Sequence, residues 1–250
     1  MAASFKRALG RIWEGIWPLI WPPRCALCGE FIGPDLAGFC PQCQASFRTV
    51  SFPICHICGK PLPEISRPAG NICGFCIESG PRYDRSRLYV RYEGAIAEVL
   101  KDFKFQRKRS MLPALSAYMV TCYEMFYEGQ SFDMVLPVPL HRRRLHSRGF
   151  NQAADLARPI AKRQGCGVQY NVLERTRDTI PQYGLSVSQR EKNVKGAFRV
   201  SRPQEVKEKS VLLVDDIMTT GTTVNECARV LRKAGAAHVC VLCLAGSFPA

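Results

Sequence analysis

Asp215 and Asp216 stand side by side directly after the apolar run Val211, Leu212, Leu213 and Val214. Such a run, β-branched at both ends, makes a short buried strand. The two carboxylates then fall at its carboxyl end, where adjacent negative charges are costly unless something binds to them. Thr219, Thr220, Gly221, Thr222 and Thr223 follow, a hydroxyl-rich turn around a glycine that permits an unusual backbone angle. From 224 to 234 apolar residues recur at helical spacing, with Gly235 placed to end the helix. Free backbone N–H groups at a helix start attract an anion, whereas the neighbouring carboxylates suit neutral hydroxyls or a metal ion. A ligand with a phosphate at one end and a vicinal diol beside it satisfies both halves, and that describes a sugar phosphate. A nucleotide P-loop fits less well, because its Gly-Lys-Ser/Thr ending is absent. An ordinary strand-to-helix turn with capping threonines is the bland alternative.

A second constellation fills the N-terminal third. Eight of the thirteen cysteines form four C-x2-C pairs, Cys25/Cys28, Cys40/Cys43, Cys55/Cys58 and Cys73/Cys76. Each pair offers two thiolates on one side of a tight knuckle, half of a tetrahedral zinc site. Gly29, Gly59 and Gly74, each just after a cysteine, suit such turns. Four knuckles make two structural sites, a double zinc ribbon, with a single filled site as the lesser alternative. Four thiolates leave no open position for catalysis. Sequential pairing closes the shortest loops, with cross-bracing as the other scheme. So few apolar residues separate the knuckles that metal binding is expected to supply much of the folding energy there. Removing the metal should then unfold residues before 80 and spare the rest. Cys122, Cys227, Cys240 and Cys243 sit in apolar patterns and read as small buried hydrophobes.

The 250 residues carry a formal net charge of +14, which favours polyanionic partners such as nucleic acid, an anionic membrane surface or a phosphorylated substrate. Cysteines at metal-binding spacing, with no convincing secretory signal, point to a cytoplasmic protein. Residues 4–21 combine basic and apolar groups, but Arg11 and Glu14 interrupt the stretch, which is too short and too charged to span a membrane. It reads as an amphipathic helix, docked on the protein's own core or in peripheral contact with a membrane or partner.

Strands are expected near 87–92, 132–138, 168–173, 197–201, 211–214 and 238–244, and helices over 94–105, 111–127, 153–164 and 224–234. This alternation predicts an α/β domain with a mainly parallel sheet flanked by helices, its ligand beyond the strand carboxyl ends. Arg142, Arg143, Arg144 and Arg148 crowd the loop after the strand at 132–138, as a pyrophosphate site would require. Lys101, Lys104, Arg107, Lys108 and Arg109 form a basic run at a helix end, either a solvated face or a polyanion contact.

Residues 211–224 resemble the phosphoribosyl pyrophosphate (PRPP) loop of the type I phosphoribosyltransferases. That likeness implies that Asp215 and Asp216 hold the ribose hydroxyls and that Thr219, Thr220, Gly221, Thr222 and Thr223 cradle the 5′-phosphate. Further motifs, from Pro137 to His141, from Arg148 to Gln152, at Arg175 to Arg177, and at Gln182, Leu185, Arg190, Asn193 and Gly196 to Phe198, make nearly the whole chain similar to the ComF (ComF/GntX-like) family. The family joins a double zinc ribbon to a phosphoribosyltransferase domain, here an N-terminal helix at 1–24, ribbons at 25–80 and the transferase-like domain at 81–250. Arg142 and Arg148 become the expected pyrophosphate contacts. Arg177, Gln182, Arg190 and Asn193 fall on a flexible loop, 175–196, that closes over substrate. The resemblance implies magnesium-dependent transfer of ribose 5-phosphate from PRPP, with Asp215 and Asp216 at the catalytic centre, and a link to DNA uptake in competence. The alternative is a non-catalytic protein that binds single-stranded DNA and uses PRPP for regulation. A competence helicase or recombination mediator is the implied protein partner.

Overall fold

The computed structural model describes residues 22–33, 36, 38–63, 69–105, 108–181 and 184–248. The helix expected within 4–21, together with Arg107 and Gln182, lies outside them. No described helix is long and apolar enough to cross a membrane.

The two ribbons repeat one local plan. In the first, Arg24 bridges Phe31 and the Gly29 N–H donates to the Cys25 carbonyl (2.9 Å). In the second, Ile54 bridges Pro61 and the Gly59 N–H donates to the Cys55 carbonyl (3.0 Å). A short helix then carries the second knuckle of each, α1 (Pro41–Ala45) after Cys40 and α2 (Gly74–Ser79) after Cys73. The sulfur atoms of Cys25, Cys28, Cys40 and Cys43 lie within 4.8 Å of one another, as do those of Cys55, Cys58, Cys73 and Cys76. The knuckles therefore join in chain order. Tetrahedral zinc with bonds of about 2.3 Å to sulfur requires sulfurs about 3.8 Å apart. Cys28 to Cys40 and Cys58 to Cys73, each 3.6 Å, fit that requirement.

Beyond the ribbons run β1 (Arg85–Arg91), α3 (Gly94–Phe105), α4 (Leu112–Tyr127), β2 (Met134–Pro137), α5 (Arg142–Arg148), α6 (Gln152–Arg163), β3 (Leu173–Arg175), α7 (Val187–Val194), β4 (Phe198–Val200), α8 (Pro203–Val206), β5 (Ser210–Met218), α9 (Thr222–Lys233) and β6 (His238–Gly246). The main sheet has the order β1-β6-β5-β2, all parallel. α9 supplies the crossover from β5 to its neighbour β6. One core, with Leu100, Phe103, Leu115 and Leu156, covers one face of the sheet; a second, with Leu136, Val206, Cys227 and Leu231, covers the other. Cys122, Cys227, Cys240 and Cys243 are buried, as their apolar settings require.

Local structure departs from expectation in four places. The strand expected at 168–173 is reduced to a bridge between Val168 and Val135, followed by β3, which pairs antiparallel with β4 in a separate ribbon. The arginine loop is a helix, α5, because the His141 side chain accepts from the Arg143 N–H (3.4 Å) at its start and Gly149 ends it at φ 80°. Within the loop at 175–196, α7 forms behind a reciprocal capping box of Ser186 and Gln189. β5 continues through both acids to Met218, because β6 extends far enough to pair with Asp215, Ile217 and Met218.

The ribbons are also less separate than their composition suggests. Phe39 and Phe47 meet edge to face (5.0 Å between centroids) and both meet Tyr118 of α4 at 5.8 Å. A Cβ on Gly38 would stand 2.5 Å from that of Ala114, so the chain passes α4 in near contact. Residues 48–50 lie antiparallel along the edge strand β1, with the Val50 N–H donating to the Tyr89 carbonyl (2.9 Å) and the Arg91 N–H to that of Arg48 (2.8 Å). Backbone that would otherwise be an open sheet edge is thereby paired. This shared core runs against the expectation that removing the metal spares the rest of the chain. Chelation of zinc should lower the melting temperature of the whole protein in one cooperative transition, measured by calorimetry. An upper transition unchanged from the zinc-loaded protein would contradict this.

Candidate functional site

Strand alternation sends Asp215 and Asp216 to opposite faces of β5, and each meets a different environment. Asp216, 6% exposed, receives the Lys104 ammonium from α3 at 3.0 Å. The Asp216 N–H in turn donates to the Asp215 carboxylate (2.9 Å). Burial, reinforced by the charge of Asp216, pushes the Asp215 carboxyl up to about 7; Lys104 and Arg175 oppose the shift. Beyond the acids the turn places Gly221 at φ 74°, a left-handed position that glycine occupies without strain, as the N-cap of α9. Glycine has no side chain to cap the helix, and the start of α9 faces the turn after β5 without a side-chain cap. Thr220 and Thr222 share a hydrogen bond between hydroxyls (3.1 Å). Residues of this turn enclose a recess of about 30 Å³, bounded by Asp215, Thr219, Gly221, Thr222 and Thr223.

A larger cavity of about 280 Å³ opens in front of the acids, and its far wall comes from the end of β2 and the start of α6. Asn151 caps α6, accepting from the Ala153 N–H (3.1 Å), and its amide donates to the Val138 carbonyl (3.1 Å). That bond holds the helix start against the strand end and places Gln152 on the cavity wall. Arg148 reaches the same cavity with its guanidinium 5.3 Å from the Phe105 ring and one N–H donated to Gln152 Oε1 (3.3 Å). Arg175, from β3, donates to the Thr179 hydroxyl through one nitrogen. Gln152 is 2% exposed and Arg175 9%, yet Gln152 Nε2 and Arg175 Nε have no hydrogen-bond partner among the described residues. Buried donors are costly when unpaired. Two of them beside one cavity call for an acceptor-rich occupant.

The structure therefore brings together most of the residues expected from sequence. Asp215, Asp216, Thr219, Thr223, Arg148 and Arg190 line the large cavity, while Gly221 and Thr222 line the adjoining recess. Arg190 Nη1 donates to the Thr219 hydroxyl (2.9 Å), so α7 sits at the turn. Arg142 does not join them. It faces a separate cavity of about 780 Å³ on the other side of Arg175, with Arg109, Arg158 and Arg199, because the helical turn of α5 separates it from Arg148. Arg177 and Asn193 shape the loop instead of lining the cavity: Arg177 donates to the carbonyls of Asn193 (2.9 Å) and Lys195 (2.8 Å), and Asn193 to that of Ile180 (2.9 Å). The basic run also divides. Lys108 pairs with Asp102 (2.7 Å) and Arg109 with Asp155 (3.1 Å), whereas Lys104 belongs to the site.

Lys104, Gln152 and the inward role of Arg175 were not identified as site features from sequence. One signal for Lys104 was present: it lies four residues after Leu100 and eight after Ile96, inside the apolar stripe of its helix, where a lysine needs a partner. The raised Asp215 pKa sets a sign for pH dependence. In the folded chain Asp215 keeps a proton that the unfolded chain releases near 3.8, so its contribution to stability falls as pH rises toward about 7 and is level above. Urea midpoints of the wild type and Asp215→Asn between pH 5 and 8 should show this slope in the wild type alone; parallel curves would refute the assignment.

Residues 16–77 match the double zinc ribbon domain, and residues 145–247 match the phosphoribosyl transferase domain. The DNA utilization protein YhgH of Escherichia coli (strain K12) is 33% identical over 228 residues, covering 89% of this chain and 96% of that protein. Competence protein F of Haemophilus influenzae is 30% identical over 226 residues, with the same shares of 89% and 96%. Competence protein ComFC of Bacillus subtilis is 24% identical over 204 residues, 79% of each chain. Paired cysteine tetrads, a parallel sheet ending in an acidic pair and a hydroxyl turn, and similarity running through both parts place the chain in the ComF family, a double zinc ribbon joined to a phosphoribosyltransferase domain.

Proposed function

We propose that the chain binds PRPP at the end of β5 and transfers its ribose 5-phosphate to a nucleophile, releasing pyrophosphate, in support of DNA uptake or utilisation. The observation that carries this reading is the charge layout of one cavity. Two carboxylates suited to ribose hydroxyls lie between an uncapped helix start and a wall of unpaired or cationic donors, Gln152, Arg175, Arg148 and Lys104. A 5′-phosphate, a diol and a pyrophosphate present complementary groups in that order. In this reading Arg148 stays a pyrophosphate contact, and Gln152 and Arg175 take the place of Arg142. Lys104 pairs with Asp216 and can turn from it to the pyrophosphate.

Magnesium suits the hard oxygen donors of Asp215 and Asp216; when bound, it would neutralise pyrophosphate charge and stabilise the departing group. The chain's own residues would orient the sugar, hold the phosphate on the α9 amides and direct donors at the leaving group. Zinc fits the two thiolate tetrads as a structural ion.

Calorimetric titration with PRPP and magnesium tests the reading. Replacing Asp215 and Asp216 together by Asn should weaken binding by about 1.5–3 kcal/mol for each ribose hydroxyl left without a carboxylate acceptor. Lys104→Ala should also weaken it, contrary to what a solvated basic run would do. Unchanged affinity in a folded double variant would reject the site.

A second reading, a protein that grips single-stranded DNA without catalysis, is favoured by a different observation. The cavity of about 780 Å³ presents Arg142 and the half-exposed Tyr170, beside Arg158 and Arg199 that are paired to Asp155 (3.0 Å) and Glu174 (2.9 Å). The names of the relatives, DNA utilization and competence proteins, fit this reading as they fit the first, and a helicase or recombination mediator acting on the same strand is the protein partner it entails. Replacing Arg142 and Arg199 by Ala should flatten the dependence of log affinity on log salt by up to about 0.7 for each phosphate no longer neutralised, with PRPP affinity unchanged. Abolished PRPP binding in that variant would merge the two sites.

A further inference from the structure

The two thiolate tetrads share a plan but not a setting. In the second, Cys55, Cys58, Cys73 and Cys76 are all buried, none more than 8% exposed, and cluster with Ile57, Leu62 and Ile72. The Ser86 N–H donates to the Ile57 carbonyl (2.6 Å), and a Cβ on Gly59 would stand 2.7 Å from the Ser86 carbonyl oxygen, so β1 closes that ribbon from one side. Cys58 and Cys73 border a cavity of about 430 Å³ shared with Lys60, Thr219 and Thr220, yet both stay buried. In the first tetrad Cys25 and Cys40 belong to the main core, whereas Cys28 is exposed. It stands at an exposed tip with Gly29, Glu30 and Phe31, where the Arg24 guanidinium lies over the Phe31 ring (3.9 Å from its centroid). The Cys40 sulfur faces that of Cys28 at 3.6 Å. It also caps α1, accepting from the Cys43 N–H (3.4 Å).

We propose that the first tetrad is a modification site for hydroperoxides: oxidation at Cys28 releases its zinc and loosens the cover on β1, while the second tetrad keeps its metal. The inference does not depend on what fills the cavity before the acids. Oxidation of a cysteine follows its thiolate character and its access to solvent. Metal ligation makes all eight sulfurs thiolates, so access decides between them, and it singles out Cys28. The Cys28 sulfur attacks one peroxide oxygen; the O–O bond breaks with its electron pair on the departing oxygen, and Cys28 becomes a sulfenic acid. The Cys40 thiolate then attacks that sulfur, a disulfide forms and hydroxide leaves. Two thiolates together give up two electrons, and hydrogen peroxide with two protons from solvent becomes two molecules of water. Cys25 and Cys43 remain, half of a tetrahedral site and too few to hold the metal. The loss reaches the sheet edge through the chain on either side of α1. Phe39 precedes Cys40 and Phe47 follows α1, both rings meet Tyr118, and residues 48–50 then pair with β1.

Native mass spectrometry of the zinc-loaded full chain during treatment with hydrogen peroxide tests this, with cysteine alkylation and peptide mapping to locate each product. One zinc should be lost at least about tenfold faster than the other, a barrier difference of roughly 1.4 kcal/mol, and the first disulfide should contain Cys28. In that one-zinc product, amide exchange of Val50 and Arg91 should quicken, because their partners lie across the loosened edge. Exchange of Ser86, bonded to the second ribbon, should stay as in the untreated chain. Cys28→His offers a nitrogen ligand in place of the exposed thiolate and should retain both metals under the same treatment. If that variant does not load two zinc ions, the mapped wild-type product decides alone. Loss of both ions at one rate, a first disulfide among Cys55, Cys58, Cys73 and Cys76, or unchanged exchange at Val50 and Arg91 after the first loss would overturn the proposal.

Discussion

Adjacent carboxylates at the open end of a central strand repel one another, and the arrangement around β5 follows from how that repulsion is answered. Alternation along the strand splits the pair between the two faces of the sheet. Asp216 takes the Lys104 ammonium of α3, while Asp215 stays under-compensated and holds its proton to about neutral pH, a carboxyl pushed up to about 7. Complete internal neutralisation would have left a stable salt-bridge network with no need for a ligand. Partial neutralisation leaves charge and hydroxyl acceptors suited to an occupant, next to donors on Gln152 and Arg175 that are themselves unpaired.

The fold keeps those mismatched groups in place by anchoring each wall. Asn151 pins α6 to the end of β2, Gly221 starts α9 without a cap of its own, and Arg190 ties α7 to Thr219. The last of these is a link between two side chains, one on α7 and one on the turn after β5. The ribbons contribute in another way. Metal cross-links at the two cysteine tetrads would give two short segments, with little apolar content, enough rigidity to cover the edge of β1 and to stand beside the threonine turn. The same few residues thus serve as an edge cover and as a wall for a neighbouring cavity.

Much of the fold was legible because its signals are local. The period of apolar residues marked α3, α4, α6 and α9 to within a residue or two, and the β-branched runs marked β1, β2, β5 and β6. Departures came where a distant partner overrides local pattern. β5 runs on through Asp215 and Asp216 because β6 is there to pair with it, and the 168–173 segment loses strand character because it meets β2 at Val168 and then turns away toward β4. Among site residues, the same division holds. The acid pair, the threonine turn and the cysteine knuckles announce themselves by adjacency and spacing within a few residues.

What the amino-acid order determined by itself was thus the chemistry available: two carboxylates beside a hydroxyl-rich turn, two sets of four thiolates, and a surplus of positive charge. Tertiary structure alone decided which cations serve the carboxylates. Lys104 left the basic run for Asp216, Arg148 entered the cavity while Arg142 faced another, and Gln152 and Arg175 arrived from separate elements with donors to spare. The physical reason is that a charge is satisfied by whatever lies within a few ångströms of it in space, and for groups far apart along the chain that distance is set by packing and not by spacing.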